Sequence, residues 1–149
     1  LHPLGFPVAR PYGLCEDDSV IGTMFYVMDM VEGRILWDVT FPDMTPEQRR
    51  ATFDAKISTL AQLHNVDWRA AGLEGFGKEG DYIARQIHRW TKQYQASETT
   101  KIPEMDRLIE WLPKNVPAGE RTSIVHGDYR IDNMILHPTQ AKVIAVLDW

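Results

Sequence analysis

The spacing of apolar residues changes twice along the chain and divides it into three predicted regions. In the first region, the segment Val20 to Val31 is rich in β-branched and aromatic residues. Two strands are predicted there, after an extended segment that holds Pro11 and Gly13. The middle region repeats apolar residues at steps of three and four, which predicts helices. The last region contains short apolar runs of strand length, and this order of elements predicts an α+β fold.

The first helix is predicted to begin after Thr45, because a threonine cap, Pro46 at the first helical position and Gln48 at the third form a capping-box pattern. His64 near its end is interpreted as a packed or capping histidine, since Asp67 is the only nearby acid that could complete a metal site. The apolar face of this helix is expected to hold five residues: Phe53, Ile57, Leu60, Ala61 and His64.

A second helix is predicted to follow Asp81, and a third to span Glu104 to Leu112, where Pro113 stops it. The glycine pattern Gly75 to Gly80 before the second helix has the spacing of a phosphate-binding loop. No strand precedes it, so it is interpreted as a flexible connector. Four residues recur on one face of the second helix and are expected in the core: Ile83, Ile87, Trp90 and Tyr94.

The C-terminal region centres on one polar loop, HGDYRIDN, from His126 to Asn133. The apolar run Ile124-Val125 before it and the run Met134 to Leu136 after it predict buried strands. The polar side chains of the loop are therefore expected at the end of a rigid element, which favours a catalytic loop.

An antiparallel hairpin is predicted from the last two apolar runs. If its centre lies between Gln140 and Ala141, Asn133 falls opposite Asp148, with the two side chains about 5 Å apart. One amide and one carboxylate suit Mg²⁺, which prefers hard oxygen ligands. The spacing therefore predicts a magnesium site formed by Asn133 and Asp148.

Asp128 lies in the same loop, five residues before Asn133. Phosphoryl transfer needs a carboxylate that orients and deprotonates a hydroxyl, and metal ligands that offset charge on the phosphates. An aspartate five residues before an asparagine matches the protein-kinase catalytic loop, and an aspartate after an apolar strand matches its metal-binding element. The loop and Asp148 together indicate a kinase.

These motifs resemble the aminoglycoside phosphotransferase family. HGDYRIDN followed by VIAVLDW is similar to that family's catalytic region, and in particular to the kinase-like domains fused to some acyl-CoA dehydrogenases. The segment MFYVMDMVEG resembles the family's hinge, and the helix ending in LAQLH extends the likeness. The resemblance covers nearly the whole chain.

The resemblance implies a protein-kinase-like fold in a single incomplete domain, residues 1–149. Residues 1–33 would be the end of the N-lobe strands and the hinge, and residues 34–149 part of a mainly helical C-lobe with a catalytic-loop hairpin. The family's phosphate-covering loop and its lysine on the third strand precede a hinge. This chain is therefore expected to hold the acceptor and metal side of a kinase, and to be inactive by itself.

The resemblance also implies two cofactors, ATP and Mg²⁺, and assigns residues to them. Asp128 is expected as the catalytic base, with Asn133 and Asp148 as the magnesium ligands. The hinge backbone at Asp29 and Val31 is expected to contact adenine.

Separate roles are predicted for three residues near Asp128. Arg130 follows it by two residues, where protein kinases place a lysine that faces the γ-phosphate, so a phosphate contact is expected. His126 is expected to brace the loop through hydrogen bonds. Asp132 is expected to point to the opposite side of the strand as a solvated carboxylate.

Composition limits the classes of partner and the cellular location that are expected for this chain. The net charge of -5 is spread along the chain without a basic stripe, which argues against nucleic acid. No stretch approaches the roughly 20 apolar residues of a membrane span. Cys15 is the only cysteine and no apolar leader is present, which favours a cytoplasmic location. A small hydroxyl-bearing molecule is the expected partner, and the sequence specifies no oligomeric state.

The predicted function is Mg²⁺-dependent phosphoryl transfer from ATP to a hydroxyl group of a small molecule, such as an antibiotic, choline, a sugar or a hydroxyacyl thioester. A non-catalytic kinase-like binding module is the main alternative. A metal-dependent phosphatase is a further one, because GDYRID contains a Gly-Asp pair and a second aspartate. That class also needs an upstream Asp-x-His and a downstream Asn-His pair, and the chain has neither.

Overall fold

The structure is a computed structural model that describes residues 1–78, 80–119 and 121–149. These residues form two compact units, one of Leu1–Ala71 with Ser123–Trp149 and one of Gly72–Thr122. Glu79, one position of the predicted glycine-rich connector, lies outside the described residues. Within the described ranges, no helix has the length and apolar content needed to cross a membrane.

The first unit contains an antiparallel pair of strands, β1 (Pro11–Cys15) and β2 (Phe25–Met28). The prediction of two strands within Val20 to Val31 is wrong for one of them, because β1 forms from the preceding segment. Residues between the strands form turns, in which the Asp17 carboxylate accepts a hydrogen bond from the Ser19 N–H at 2.9 Å. Such side-chain bonds satisfy the turn backbone locally and replace a strand ladder.

Helix α1 (Pro46–His64) begins where the sequence predicts. The Thr45 hydroxyl accepts from the Gln48 N–H at 3.2 Å, and the Gln48 side-chain oxygen accepts from the Thr45 N–H at 2.9 Å. The predicted capping box is confirmed, and it pairs two backbone donors at the start of the helix.

The buried face of α1 differs from the predicted one. Phe53 and Ile57 are 44% and 58% exposed, whereas Thr52, Thr59 and Leu63 are buried. Each threonine hydroxyl donates to the carbonyl four residues earlier at 2.9 Å. A polar side chain can therefore enter the core without an unpaired donor. Apolar spacing alone is correct only in part, since Leu60 and His64 are half-buried.

The second unit contains α2 (Tyr82–Ser97) and α3 (Pro103–Trp111), which continues as a short 3-10 turn. Asp81 is the N-cap of α2, as predicted, and α3 lies within one residue of its predicted bounds. The expected core position of Trp90 is wrong, because its side chain is 56% exposed. Its indole N–H donates to the side chain of Gln86 at 3.1 Å on the surface of the helix.

Strands β3 (Met134–Leu136) and β4 (Val143–Val146) form the predicted antiparallel hairpin in the first unit. All three residues of β3 and three of the four in β4 are buried. The hairpin packs at the centre of a hydrophobic core that also contains Phe6, Phe41, Leu63 and Ile131. The polar loop before β3 is therefore attached directly to the core.

The run Ile124-Val125 before the loop forms no strand, contrary to the prediction. Both outer edges of the hairpin are bonded to other segments, since β3 pairs with Arg34 and β4 donates a hydrogen bond to the Pro7 carbonyl at 2.8 Å. The run therefore has no open edge to join. Ile124 packs against the core instead, and Val125 is exposed.

The chain returns to the outer edge of β3 at Gly33 and Arg34. Arg34 exchanges two backbone hydrogen bonds with Leu136, each 2.8 Å long. A Cβ atom at position 33 would lie 2.4 Å from Cγ2 of Ile135 and 2.4 Å from the carbonyl oxygen of Leu136. This close approach of two backbones requires a glycine.

We predict that Gly33→Ala weakens the hairpin by about 1–3 kcal/mol, because the added methyl group must displace a backbone carbonyl in a packed region. Hydrogen exchange of the β3 amides, measured in the natural full-length protein, should become correspondingly faster. Gly75→Ala is the matched control, since a Cβ atom there meets nothing within 4 Å. Equal exchange in the two variants would contradict the close packing.

Candidate active site

The loop from His126 to Asn133 folds so that its acid and its amide meet. Gly127 adopts a φ of 92°, in the left-handed region that favours glycine, and turns the chain after the histidine. The Asn133 amide nitrogen donates to Oδ2 of Asp128 at 3.2 Å and to the Asp128 carbonyl at 3.0 Å. Asn133 ends a 3-10 turn that the buried Ile131 anchors in the core.

His126 joins the loop to the end of β4. Its Nε2 lies 2.7 Å from the Leu147 carbonyl oxygen, and its Nδ1 accepts from the Asp128 N–H at 3.3 Å. Because a carbonyl only accepts hydrogen bonds, Nε2 carries the proton in this arrangement. The ring also packs against Trp149, with 4.6 Å between centroids. The expected bracing role of His126 is confirmed.

Asp148 follows the residue that lies opposite Asn133, and the predicted register is wrong by one position. The Leu147 N–H donates to the Asn133 carbonyl at 2.8 Å, so Leu147 and not Asp148 faces the asparagine. The pairing shifts between Ile135 and Leu136, where a bulge places an extra β4 residue in the ladder. Asp148 then leaves the strand direction with a φ of 61°.

The side-chain oxygen atoms of Asn133 and Asp148 are of chemical types that suit magnesium. The amide nitrogen of Asn133 bonds to Asp128, whereas its amide oxygen makes no hydrogen bond to any described residue. The Asp148 carboxylate is exposed. Amide and carboxylate oxygens are hard ligands, and two of them suit an ion that keeps several waters. No group of three or more His, Cys, Asp or Glu residues within the described ranges is arranged to hold a metal.

Arg130 forms an ion pair with Asp132 inside the loop. The Arg130 Nε donates to Asp132 Oδ1 at 3.1 Å, and its Nη2 contacts Oδ2. The Asp132 side chain is only 15% exposed, so the expectation of a solvated carboxylate is wrong: the arginine covers it. The hydrogen-bonded pair raises the pKa of Arg130 and lowers the pKa of Asp132, and both groups stay charged at neutral pH.

Tyr129 joins the loop to α1. Its hydroxyl donates to the carbonyl of Lys56 in the middle of that helix at 2.8 Å. Burial raises the pKa of Tyr129 to about 12, so the hydroxyl keeps its proton far above neutral pH. The Lys56 ammonium lies 5.8 Å from the centre of the tyrosine ring, at cation–π distance. Helix α1 therefore supports one side of the loop and, through His126, the end of β4 supports the other.

The segment from Asp29 to Val31 follows β2. The Asp29 N–H donates to the Arg10 carbonyl at 2.9 Å, and the Tyr12 hydroxyl donates to the Asp29 carboxylate at 2.5 Å. In the part of the chain that the structure describes, the Asp29 carbonyl and the Val31 N–H make no backbone hydrogen bond. These two groups, one acceptor and one donor, match the amino donor and neighbouring ring-nitrogen acceptor of adenine.

The predicted site residues fall into two groups. The four in the C-terminal region lie in one loop and at the strand end that this loop contacts, and the two hinge residues form no hydrogen bond or ion pair with them within the described ranges. Arg34, three residues after Val31, bonds to Leu136, His137 and Gln140 of the β3–β4 hairpin. No role was predicted for Arg34 or for Tyr129 from the sequence. Signals for both exist, since Arg34 comes directly after the hinge motif and Tyr129 directly after the expected base.

A family model described as "Phosphotransferase enzyme family" matches residues 1–149. The chain belongs to this family. The match spans residues 24–33, α1 and the β3–β4 hairpin together, so family membership rests on the whole chain as well as on the loop. The resemblance to aminoglycoside phosphotransferases is confirmed.

Relatives of this phosphotransferase domain occur in longer proteins. The chain is 51% identical over 145 residues to acyl-CoA dehydrogenase family member 10 of Mus musculus, and the aligned region covers 97% of this chain and 14% of that protein. It is 49% identical over 150 residues to acyl-CoA dehydrogenase family member 11 of Homo sapiens, and the aligned region covers 100% of this chain and 19% of that protein. The chain thus spans less than a fifth of these relatives, and the expected similarity to dehydrogenase-linked domains is confirmed.

A solved structure also matches the phosphotransferase domain. A candidate aminoglycoside phosphotransferase from Ralstonia eutropha is 54% identical and has a TM-score of 0.90, over 97% of this chain and 44% of that one. The predicted α+β, kinase-like fold is therefore confirmed. The lobe boundary at residue 33 stays a prediction.

We predict that the phosphotransferase domain loses stability at alkaline pH through Tyr129. The pKa of this residue rises from 10.0 to about 12 on folding. Its contribution to stability is therefore complete below pH 10 and is lost as the pH rises towards 12. The free energy of unfolding should fall more steeply above pH 10 in the natural protein than in Tyr129→Phe, which lacks this titration. Parallel curves would contradict the buried hydroxyl, and Tyr26→Phe is a control at an exposed tyrosine.

Proposed function

We propose that this chain supplies the acceptor and metal side of an ATP-dependent phosphotransferase that phosphorylates a hydroxyl group of a small molecule. The observation that carries the proposal is the contact between the Asp128 carboxylate and the Asn133 amide. His126 ties the loop that contains them to the strand end before Asp148. Membership of the phosphotransferase family supports the same class of reaction.

Asp128 is the proposed base. Its side chain is exposed, so an acceptor hydroxyl can approach it. The amide of Asn133 holds one carboxylate oxygen, and the ring of His126 accepts from the Asp128 N–H. The second carboxylate oxygen is then available to accept the proton of the hydroxyl. Because the acid is held in advance, little rearrangement is needed when the acceptor arrives.

Asn133 and Asp148 are the proposed ligands of Mg²⁺, through the amide oxygen and the carboxylate. When bound, this ion would offset the negative charge of the phosphoryl group during transfer. Two contacts support this assignment: Asn133 bonds to Asp128 directly, and Asp148 follows Leu147, whose carbonyl His126 contacts.

Two further contacts to ATP are proposed. The Asp29 carbonyl and the Val31 N–H would receive the adenine edge, because neither is used by the backbone in the described part of the chain. Arg130 would contact a phosphate oxygen. Asp132 occupies its Nε and Nη2 and holds the charged group beside the loop, which leaves Nη1 for a phosphate.

A hydroxyacyl thioester is the acceptor that we propose first. The relatives carry the names of acyl-CoA dehydrogenase family members, and a kinase domain within such a chain would encounter acyl thioesters. An antibiotic, choline and a sugar are the other acceptors to be screened. A cytoplasmic location stays a prediction from the single cysteine.

We predict that Asp128→Asn lowers the rate of phosphoryl transfer at least about 100-fold, because it removes the proton acceptor and keeps the shape of the side chain. The assay uses the natural full-length protein with ATP, Mg²⁺ and a panel of hydroxyl-bearing metabolites. Asp54→Asn, the same change at a side chain on α1 that is 73% exposed, should leave the rate unchanged.

The outcomes of this assay separate the candidate functions. Turnover that survives in Asp128→Asn would remove Asp128 as the base. ATP binding with no turnover on any acceptor would favour a non-catalytic binding module. Hydrolysis of phosphate esters without ATP would favour a phosphatase.

We further predict that Asn133→Ala raises the Mg²⁺ concentration needed for half-maximal rate at least about 10-fold, because it removes a ligand oxygen. The measurement is the initial rate as a function of Mg²⁺ concentration. Asn115→Ala is the matched control, since it also removes an amide-to-carbonyl bond, of 2.8 Å to Trp111 in the second unit. An unchanged Mg²⁺ requirement in Asn133→Ala would exclude this residue as a ligand.

A further inference from the structure

Arg34 occupies the junction between the hinge segment and the catalytic hairpin. It follows Val31 by three residues on one side and pairs with Leu136 of β3 on the other. Leu136 is fully buried, and both of its outward-facing backbone groups bond to Arg34 at 2.8 Å. The backbone of Arg34 therefore acts as an additional strand position on the outer edge of the hairpin.

The side chain of Arg34 reaches further along the same hairpin. Its Nε donates to the His137 carbonyl at 3.0 Å, and its Nη2 donates to the Gln140 carbonyl at 3.1 Å. Both acceptors lie in the turn between β3 and β4, which is also closed by a bond of 2.8 Å from the His137 N–H to the Lys142 carbonyl. The guanidinium thus holds the two sides of the turn together.

A guanidinium suits this position better than an ammonium group. Its nitrogen atoms lie in one plane at fixed angles, so two of them can donate to two separate carbonyls at once. Among the described residues Arg34 makes no ion pair, and its charge is directed to backbone carbonyls alone. The side chain therefore fixes the conformation of the turn and does not neutralise an acid.

The turn lies at one end of the β3–β4 hairpin, and the proposed metal ligands lie at the other end. Asn133 precedes Leu136 by three residues, a distance of about 10 Å along a strand. The register of β3 against β4 shifts at the bulge between Ile135 and Leu136, next to the position where Arg34 binds. Any slip of the turn at this bulge would be passed along the strands to Asn133 and to the residue before Asp148.

We propose that Arg34 is a positioning residue, which sets the distance between the hinge backbone that would contact adenine and the Asn133–Asp148 pair that would hold Mg²⁺. The inference rests on the proposed function, because it assigns Arg34 to the reaction of that site. Arg34 itself touches neither the substrate nor the metal in this scheme.

The test compares Arg34→Ala and Arg34→Lys in the natural full-length protein. We expect the alanine variant to lower kcat about 10- to 100-fold, because small misplacements of reacting groups have effects of this size. It should also raise the Mg²⁺ requirement, with little change in the KM for the acceptor. Lysine, which can donate to one carbonyl at a time, should restore part of kcat. Arg50→Ala is the control, since Arg50 forms a surface pair with Asp54 in which the side chains are 86% and 73% exposed.

A purely structural role would give a different result. Loss of folded protein lowers kcat in proportion and leaves the Mg²⁺ requirement of the remaining enzyme unchanged, and that result in Arg34→Ala would overturn the proposal. If the alanine variant does not fold, Arg34→Lys and Arg34→Gln carry the same comparison. Wild-type kcat and Mg²⁺ requirement in all folded variants would also overturn it.

A second readout separates this proposal from the proposed function. Hydrogen exchange at the His137 amide and in residues 29–31 reports the coupling without any turnover. Faster exchange at both places in Arg34→Ala, relative to Arg50→Ala, supports the positioning role even if no acceptor is phosphorylated. Unchanged exchange overturns the positioning role, even if Asp128→Asn confirms the kinase reaction.

Discussion

Leu136 and Arg34 share two backbone hydrogen bonds of 2.8 Å at the outer edge of the β3–β4 hairpin, and we propose that the placement of the site depends on this bridge. The bridge attaches the segment after the hinge to a strand that is itself buried in the core. Gly33 permits this close approach without strain, since a Cβ atom there would lie 2.4 Å from the carbonyl oxygen of Leu136. One residue without a side chain and one with a long, charged side chain thus hold the hinge segment and the hairpin together.

Two neutral side chains anchor the polar loop to neighbouring elements. His126 bonds to the Leu147 carbonyl, and the Tyr129 hydroxyl bonds to a carbonyl of α1. Burial raises the pKa of Tyr129 to about 12, so this hydroxyl stays neutral. Both anchors use backbone acceptors, so they do not compete with a substrate for the carboxylates. Asp128 and Asp148 are both exposed.

The family match and the site geometry support the same reaction class from different observations. The match covers residues 1–149 as a whole, whereas the geometry rests on a few hydrogen bonds around Asp128 and Asn133. The phosphotransferase domain occupies 14% and 19% of the acyl-CoA dehydrogenase family members to which it is similar.

The sequence by itself determined the features that depend on near neighbours. Spacings of a few residues predict the capping box at Thr45 and the start of α2. They also give the order of the acid and the amide in the loop. The family resemblance also came from the sequence, because each motif is an unbroken run of residues. Only the tertiary structure decided which face of α1 is buried, since threonines enter a core when helix carbonyls accept their hydroxyls. It also decided the register of the hairpin and the contacts of Arg34, which join residues 103 and 106 positions apart. Contacts at that separation leave no periodic pattern along the chain, so they exist only after the hairpin and the hinge segment have packed together.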